Sequence, residues 1–396
     1  MSRLDALGCW LGGALSEERG HLRVLTGLRG WAALWVFLYH VWGLAKHPPF
    51  EVELAGLTLD FTPLASMGGA GVTIFFVLSG FLLATPFAEW QAGQRDRPAL
   101  GRYLMRRVMR VFPAYYAQLA ILLLIASQVP GQPGIPDAGA FVRHLFMLFM
   151  PPPMGTGPIN GVWWTLPIEF SFYLALPFLA FLLKPGRAWG LLVGCLAAMY
   201  LWRHGVAVQM AEASVGARVI AAYQLPGSMD SFGFGMLAAM LQANRARVPA
   251  WLVPWASPGR LAWLGLGLIL AAIYWLPGRR AEYWSDHLIF YAWTPALSLG
   301  IAAVILSGLN GGRLVHGLFG NRAMVYAGLV SYSYYLWHFQ VLEWLLRWDM
   351  VRDWVQGRFL ILLLVSTPLV FLVATLSYLL VERPGMRWRF QTRQRS

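Results

Sequence analysis

Residues 28–40 read LRGWAALWVFLYH, a run of hydrocarbon and aromatic ring that holds Arg29 near one end and His40 at the other. A segment this apolar belongs out of water. An arginine at the centre of a bilayer costs about 2.5–3.5 kcal/mol on insertion scales. Arg29 and His40 stand eleven positions apart. That is close to three helical turns, so in a helix they project from one face, about 16 Å apart along the axis. The stretch reads as part of a spanning helix whose polar stripe faces something other than lipid. Alone, either residue also fits a blander role: Arg29 reaching back to the interface, His40 as packing.

The same character extends along the chain. Of 396 residues 58% are hydrophobic and 12% charged, where a soluble domain carries about a quarter charged. Apolar stretches of spanning length occur at 22–44, 66–88, 104–127, 161–183, 188–209, 218–241, 260–277, 287–308, 323–346 and 359–381. The expectation is an all-α polytopic membrane protein with about ten transmembrane helices around a central polar cavity. A cytoplasmic segment (1–21) would precede the membrane domain (22–383) and a basic cytoplasmic tail (384–396) would follow it.

The net charge of +13 does not point to nucleic acid. With the N-terminus inside, 21 of the 31 Lys and Arg fall on the cytoplasmic side and nine on the other, the last being Arg29. That asymmetry is a topology signal and places both termini in the cytoplasm, in the inner (plasma) membrane. Cys9 and Cys195 are the only cysteines; one falls before the first span and the other inside a span, so neither a disulfide nor a metal site is expected. No basic region and apolar run precede Cys9, so no removable signal peptide is read. The connection 45–65, with Glu51, Glu53 and Asp60, and the Pro- and Gly-rich loop 128–160 fall outside. The second is long enough to act as a lid.

Buried ionisable groups carry the functional reading, because intramembrane charges face each other or a cavity. Among the acidic residues only Glu169 and Asp230 lie well inside the expected spans, with His40 and His338 among the histidines and Arg29 the arginine most clearly inside. RYLMRRVMRVFPAYY, 102–116, sets Arg106 and Arg107 within a turn of Arg110 at a helix start. The macrodipole there is already positive, so the cluster favours an anion such as a phosphate, although a plain topological anchor is equally simple. VWWTLPIEFSFYLALPF, 162–178, offers Glu169 and Trp163 to a site, the carboxylate either orienting an imidazole or pairing with Arg29. VSYSYYLWHFQVLEW, 330–344, holds His338. GGAGVTIFFVLSGFLL, 68–83, has small residues for close packing, with Ser79 as a polar candidate. In LPGSMDSFGFG, 225–235, Pro226 and Gly227 suggest a helix broken at membrane depth beside Asp230.

Taken together and in order, these stretches resemble the acyltransferase family 3 membrane proteins over roughly residues 22–384. The resemblance rests on Arg29 with His40 in the first span, IFFVLSGFLL, RRVMR with FPAYY, WTLPIEFSFY, SYSYYLWHF and the closing ERP. It implies a membrane O-acyltransferase that takes an acyl group, usually acetyl, from cytoplasmic acyl-CoA. The group passes to a hydroxyl of a sugar, glycolipid or macrolide-like acceptor. The donor is then acetyl-CoA or another acyl-CoA, and no permanently bound cofactor is expected. His40, Glu169 and His338 would be catalytic; Arg29, Arg106, Arg107 and Arg110 would contact the donor; Asp230, Trp163 and Ser79 would contact the acceptor. The chain stops at Ser396, without the additional hydrolase-like domain of many such proteins, which fits a stand-alone transferase. His40 could act as general base or carry the acyl group itself. The rival is a proton-coupled transporter or flippase of a glycolipid or drug, with Arg29, Glu169 and Asp230 as relay. Oligomeric state is not readable.

Overall fold

A helix of about 20 residues spans the hydrocarbon of a bilayer while satisfying its own backbone, and the chain repeats this solution. The computed structural model describes residues 21–126, 134–135, 137–149, 157–247, 256–279, 283, 288–349, 352–353 and 359–386. Cys9, the N-terminal segment before residue 21, parts of the 128–160 loop and the tail beyond residue 386 lie outside the described residues. Among the described residues eight helices are long and apolar enough to cross a membrane. The chain is a multi-pass all-α membrane protein.

The longer helices among the described residues are α1 (His21–Leu44), α2 (Gly71–Gln91), α3 (Leu100–Ala126), α4 (Thr165–Leu179), α5 (Ala188–Gln209), α6 (Met229–Ala243), α7 (Pro258–Trp275), α8 (Leu288–Leu309), α9 (Ser331–Arg347) and α10 (Phe359–Ser377). Two expected spans are shorter than a membrane crossing because they are broken. The 218–241 stretch is a helix at Val215–Ala222, a 3-10 turn at Pro226–Ser228, and then α6. Pro226 supplies no N–H, and Gly227 sits where a Cβ would meet the carbonyl of Ala222. The 323–346 stretch is a helix at Arg322–Leu329 followed by α9. There Gly328 lets the backbone of Thr26 in α1 approach.

The break beside Pro226 explains a residue that the charge count had assigned to the outer side. Arg203 of α5 is 1% exposed. Its Nε donates to the carbonyl of Gly227 at 2.9 Å and its Nη1 to Thr294 Oγ1 at 2.7 Å and the Phe290 carbonyl at 3.1 Å. Asp230 stands 4.0 Å away as counter-charge. A carbonyl near the break is thus satisfied by a neutralised arginine instead of water.

Another close seam is between α2 and α6. A Cβ at Gly80 would strike the Phe232 backbone, and one at Gly235 would strike Val77 and Phe81, which is how small residues let helices close in lipid. Phe232 is stacked between Phe76 and Phe172, with centroids 4.8 and 4.1 Å away, tying α2, α6 and α4 into one core. The 45–65 connection is an antiparallel hairpin, Glu51–Leu54 with Leu57–Asp60. Its two-residue turn, Ala55 and Gly56, takes φ of 51° and 81°, the left-handed geometry that such turns require. Glu51, Glu53 and Asp60 are exposed. The described part of the 128–160 loop holds a short helix, Ala138–Leu145, pinned by His144. The His144 Nδ1 donates to Ala140 O at 2.8 Å, and Nε2 accepts the Ile159 N–H at 3.2 Å.

Two outcomes follow for stability. Gly80→Ala or Gly235→Ala will lower the thermal midpoint in detergent by an amount equivalent to about 1–3 kcal/mol, whereas Gly194→Ala, whose Cβ would meet nothing within 4 Å, will not. Burial holds the His144 imidazole below its ordinary value of 6.5, with Arg143 acting in the same direction. The unfolded chain therefore binds that proton more readily. Stability is full above pH 6.5 and declines as the pH falls below it. Midpoints measured from about pH 8 to about pH 5 should show a flatter decline in His144→Gln than in the unsubstituted protein.

Candidate active site

Two helix faces meet at the centre of the bundle. On α1, Arg29, Val36 and His40 recur at helical spacing; on α9, Ser331, Tyr335 and His338 do the same. Apart from His338, which lies behind His40, these residues line two cavities. A narrow one of about 50 Å³ has Arg29, Ser79, Thr165, Glu169, Ser331 and Tyr335 in its wall. A larger one of about 650 Å³ is bounded by Val36, His40, Trp164, Tyr223 and Tyr335 among others. Val72 and Tyr335 belong to both walls, so the cavities adjoin. Arg29 and His40 do share a side, one bordering each space.

The two expected histidines form a pair. His338 Nε2 lies 3.1 Å from His40 Nδ1. His338 Nδ1 is 2.8 Å from the carbonyl of Tyr335 and 3.3 Å from that of Tyr334. Carbonyls only accept, so for neutral imidazoles Nδ1 of His338 carries the hydrogen and its Nε2 accepts. His40 Nδ1 is then the donor in the contact, with the Val36 carbonyl 2.9 Å away as a second acceptor. Nε2 of His40 keeps its lone pair. This assigns the tautomers from the hydrogen-bond network and leaves a base beside the larger cavity.

Glu169 was expected either to orient an imidazole or to pair with Arg29. It does neither. Ser79 Oγ donates to its Oε1 at 2.6 Å, and among the described residues no ion pair joins it to Arg29. Arg29 instead feels Glu169 and Glu382 at longer range, with Arg110 opposing them. Among the described residues the Nε of Arg29 and the Oγ of Ser331 have no hydrogen-bond partner, and both residues border the narrow cavity. Ser79 thus hydrogen-bonds Glu169 in the wall of the narrow cavity. The side chain found beside the His40 imidazole is His338, not a carboxylate.

The arginine cluster is split. Arg106 is exposed and Arg107 half-buried, but Arg110 is ion-paired to Glu382, a buried carboxylate that also accepts from Ser333 Oγ at 2.9 Å. Glu382 entered the sequence reading only as part of the closing ERP, with no role of its own. A wide π turn, Tyr378–Glu382, ends α10 and presents it to α3. The signal that would have found it is the unmet need of Arg110 for a counter-charge.

Two acceptor candidates are displaced. Asp230 is fully buried against Arg203 and borders neither cavity; its place is set by the broken helix. Trp163 is in the core, its Nε1 donating to Gln118 Oε1 at 2.8 Å and its ring 4.7 Å from that of Tyr115. Its neighbour Trp164 lines the larger cavity instead, because the 3-10 turn Gly161–Trp164 directs consecutive residues apart. The broken segment Val215–Ala222 does mark a cavity, through Val215, Val219, Ile220 and, just beyond it, Tyr223.

The sequence profile of the acyltransferase 3 family, the Acyltransferase domain, matches residues 23–382. The acyltransferase MdmB of Streptomyces mycarofaciens is 26% identical over 392 residues, covering 92% of this chain and 91% of that protein. Nodulation protein 10 of Rhizobium leguminosarum bv. viciae is 26% identical over 396 residues, covering 96% and 97%. The exopolysaccharide production protein ExoZ of Rhizobium meliloti is 26% identical over 333 residues, covering 81% and 90%. No solved structure matches the chain. A bundle of spanning helices closed around a histidine pair and an arginine-lined recess, matched by that profile almost from end to end, belongs to acyltransferase family 3, and the chain is a membrane-embedded acyltransferase.

Proposed function

We propose that this acyltransferase takes an acyl group, acetyl in the first instance, from acyl-CoA on the cytoplasmic side of the inner membrane. It passes the group to a hydroxyl of a sugar, glycolipid or macrolide-like acceptor entering from the larger cavity. The observation that carries the reading is the unpartnered Nε2 of His40 beside that cavity, next to the narrow recess bordered by Arg29. Exposed Arg106 and half-buried Arg107 suit the phosphates of coenzyme A. Arg110, already neutralised by Glu382, supports that end without standing free for the donor. The orphaned Arg29 Nε and Ser331 Oγ suit the polar arm or the thioester carbonyl.

In the reaction His40 Nε2 takes the acceptor hydroxyl proton as its oxygen bonds to the thioester carbon. His338 accepts from Nδ1 and so stabilises the imidazolium. The tetrahedral oxyanion collapses, the C–S bond breaks, and the thiolate leaves with the proton held on His40. An acyl-imidazole at the same nitrogen is the competing sequence. Both termini cytoplasmic and a cell-envelope role fit this direction of transfer, and the name of the relative concerned with exopolysaccharide production favours a carbohydrate acceptor. A relay through Arg29, Glu169 and Asp230, as a transporter would need, is disfavoured because Asp230 belongs to the Arg203 pair.

With purified protein, acetyl-CoA and an acceptor, thiol release should fall at least about 100-fold in His40→Ala with the thermal midpoint retained. Activity equal to that of the unsubstituted protein would remove His40 from the chemistry. His338→Gln should lower kcat about tenfold and displace the pH–rate profile while leaving KM near its starting value. The arginines should separate. Arg107→Ala raises KM for acetyl-CoA about tenfold. Arg110→Ala, by stranding buried Glu382, also costs about 3–5 kcal/mol of stability, read from unfolding midpoints.

A further inference from the structure

The two cavities differ in chemistry, and the difference bears on the acceptor. Among the described residues the larger cavity has no Asp, Glu, Lys or Arg in its wall, whereas the narrow one has Arg29 and Glu169. Most wall hydroxyls and N–H groups are already engaged by the protein. The hydroxyls of Tyr223 and Tyr283 bond each other at 3.1 Å. That of Tyr335 reaches Thr165 at 3.0 Å and the Val162 carbonyl at 2.8 Å. Trp293 Nε1 donates to the Ala272 carbonyl at 2.8 Å. The rings of these residues remain as platforms, opposite the apolar stripe Val215, Val219 and Ile220. One guanidinium lies behind the wall, Arg203, 5.3 Å from the Tyr223 ring centroid, but it is 1% exposed and faces Asp230. A carboxylate or phosphate entering here would lose water and find no counter-charge among these groups. A small polar sugar would leave the apolar wall uncovered. The volume, about 650 Å³, lies within the range that holds drug-sized ligands, roughly 300–1,000 Å³.

We infer that the acceptor is an uncharged amphipathic alcohol whose apolar body fills the larger cavity while its hydroxyl meets His40. Anionic glycans and free small sugars are then poor acceptors. This rests on the acyl-transfer reading for the identity of the cavity's guest as acceptor.

The test uses the full chain in lipid nanodiscs with three probes: octyl glucoside, octyl glucuronide (the same body with one carboxylate) and methyl glucoside (the same sugar without the apolar body). Binding is read by tryptophan fluorescence without donor, and transfer by thiol release from acetyl-CoA. Octyl glucoside should bind and react at least about tenfold better than either other probe. Val215→Arg, at a half-exposed wall position, should narrow the gap between glucoside and glucuronide about tenfold. That change cannot come from partitioning into lipid. Equal or better use of the glucuronide or of methyl glucoside overturns the inference. So does faster release from palmitoyl-CoA than from acetyl-CoA with no benefit from an octyl chain on the acceptor, because the cavity then holds the donor's chain. If the binding order holds and no probe supports thiol release, the inference about the cavity stands and the acyl-transfer reading fails.

Discussion

In a medium of low dielectric a charge needs a counter-charge or a dense set of hydrogen bonds, and this constraint sorts the buried groups of the bundle into two kinds. Arg203 has Asp230, a nearby carbonyl freed of helical pairing and a threonine hydroxyl. Arg110 has Glu382, itself steadied by Ser333. These groups hold helices together. Arg29 is different: its Nε has no hydrogen-bond partner and its carboxylate neighbours act only at a distance. His40 has a partner on one nitrogen only. Two such residues, Arg29 on α1 and Ser331 on α9, border the narrow cavity, and His40 borders the larger one. Buried pairs of the first kind are poor evidence of function, since removing one partner destabilises whatever the pair does. Gathered groups of the second kind have no structural reason to stay polar.

The distinction explains which parts of the site could be read from sequence. Spacing along a single helix is local information, so Arg29 and His40, eleven positions apart, were recoverable as a stripe, and the Gly-rich 68–83 stretch as a packing surface. Pairing between helices is not local. Asp230 and Glu169 look alike in sequence, each an acid in an apolar run, yet one meets Arg203 and the other Ser79. Glu382 drew no role of its own because the π turn that carries it inward leaves no plain signature in composition. Trp163 and Trp164 are adjacent and chemically identical; only the 3-10 turn decides which one faces the cavity. The class of fold was legible because lipid demands a long apolar run for each crossing; the break in 218–241 was legible too, in Pro226 and Gly227, while that in 323–346 passed as continuous because the average over the window stays apolar.

The breaks are where the bundle departs from simple spanning helices, and both border the site. The first positions Val215–Ala222 and Tyr223 as one wall of the larger cavity. The second lets α9 begin at Ser331, inside the protein, so that its first turn borders the narrow cavity. Irregular backbone at membrane depth is tolerated where it lines a cavity or is covered by protein. The first break is covered by Arg203, and the second lies where Gly328 packs on α1.

Helix α9 then connects the two ends of the reaction path. Ser333 contacts Glu382, which holds Arg110 in the cationic cluster. Ser331 and Tyr335 border the narrow cavity, and His338 meets His40. All four lie within eight consecutive positions of one helix, about two turns. A rigid helix fixes their relative placement without long-range machinery, so the separation between the arginine cluster and the histidine pair is set largely by α9 and by α1 beside it. A donor held at the cluster meets the base only if its reactive end reaches that far. Under the proposed function the extended arm of coenzyme A would supply that reach.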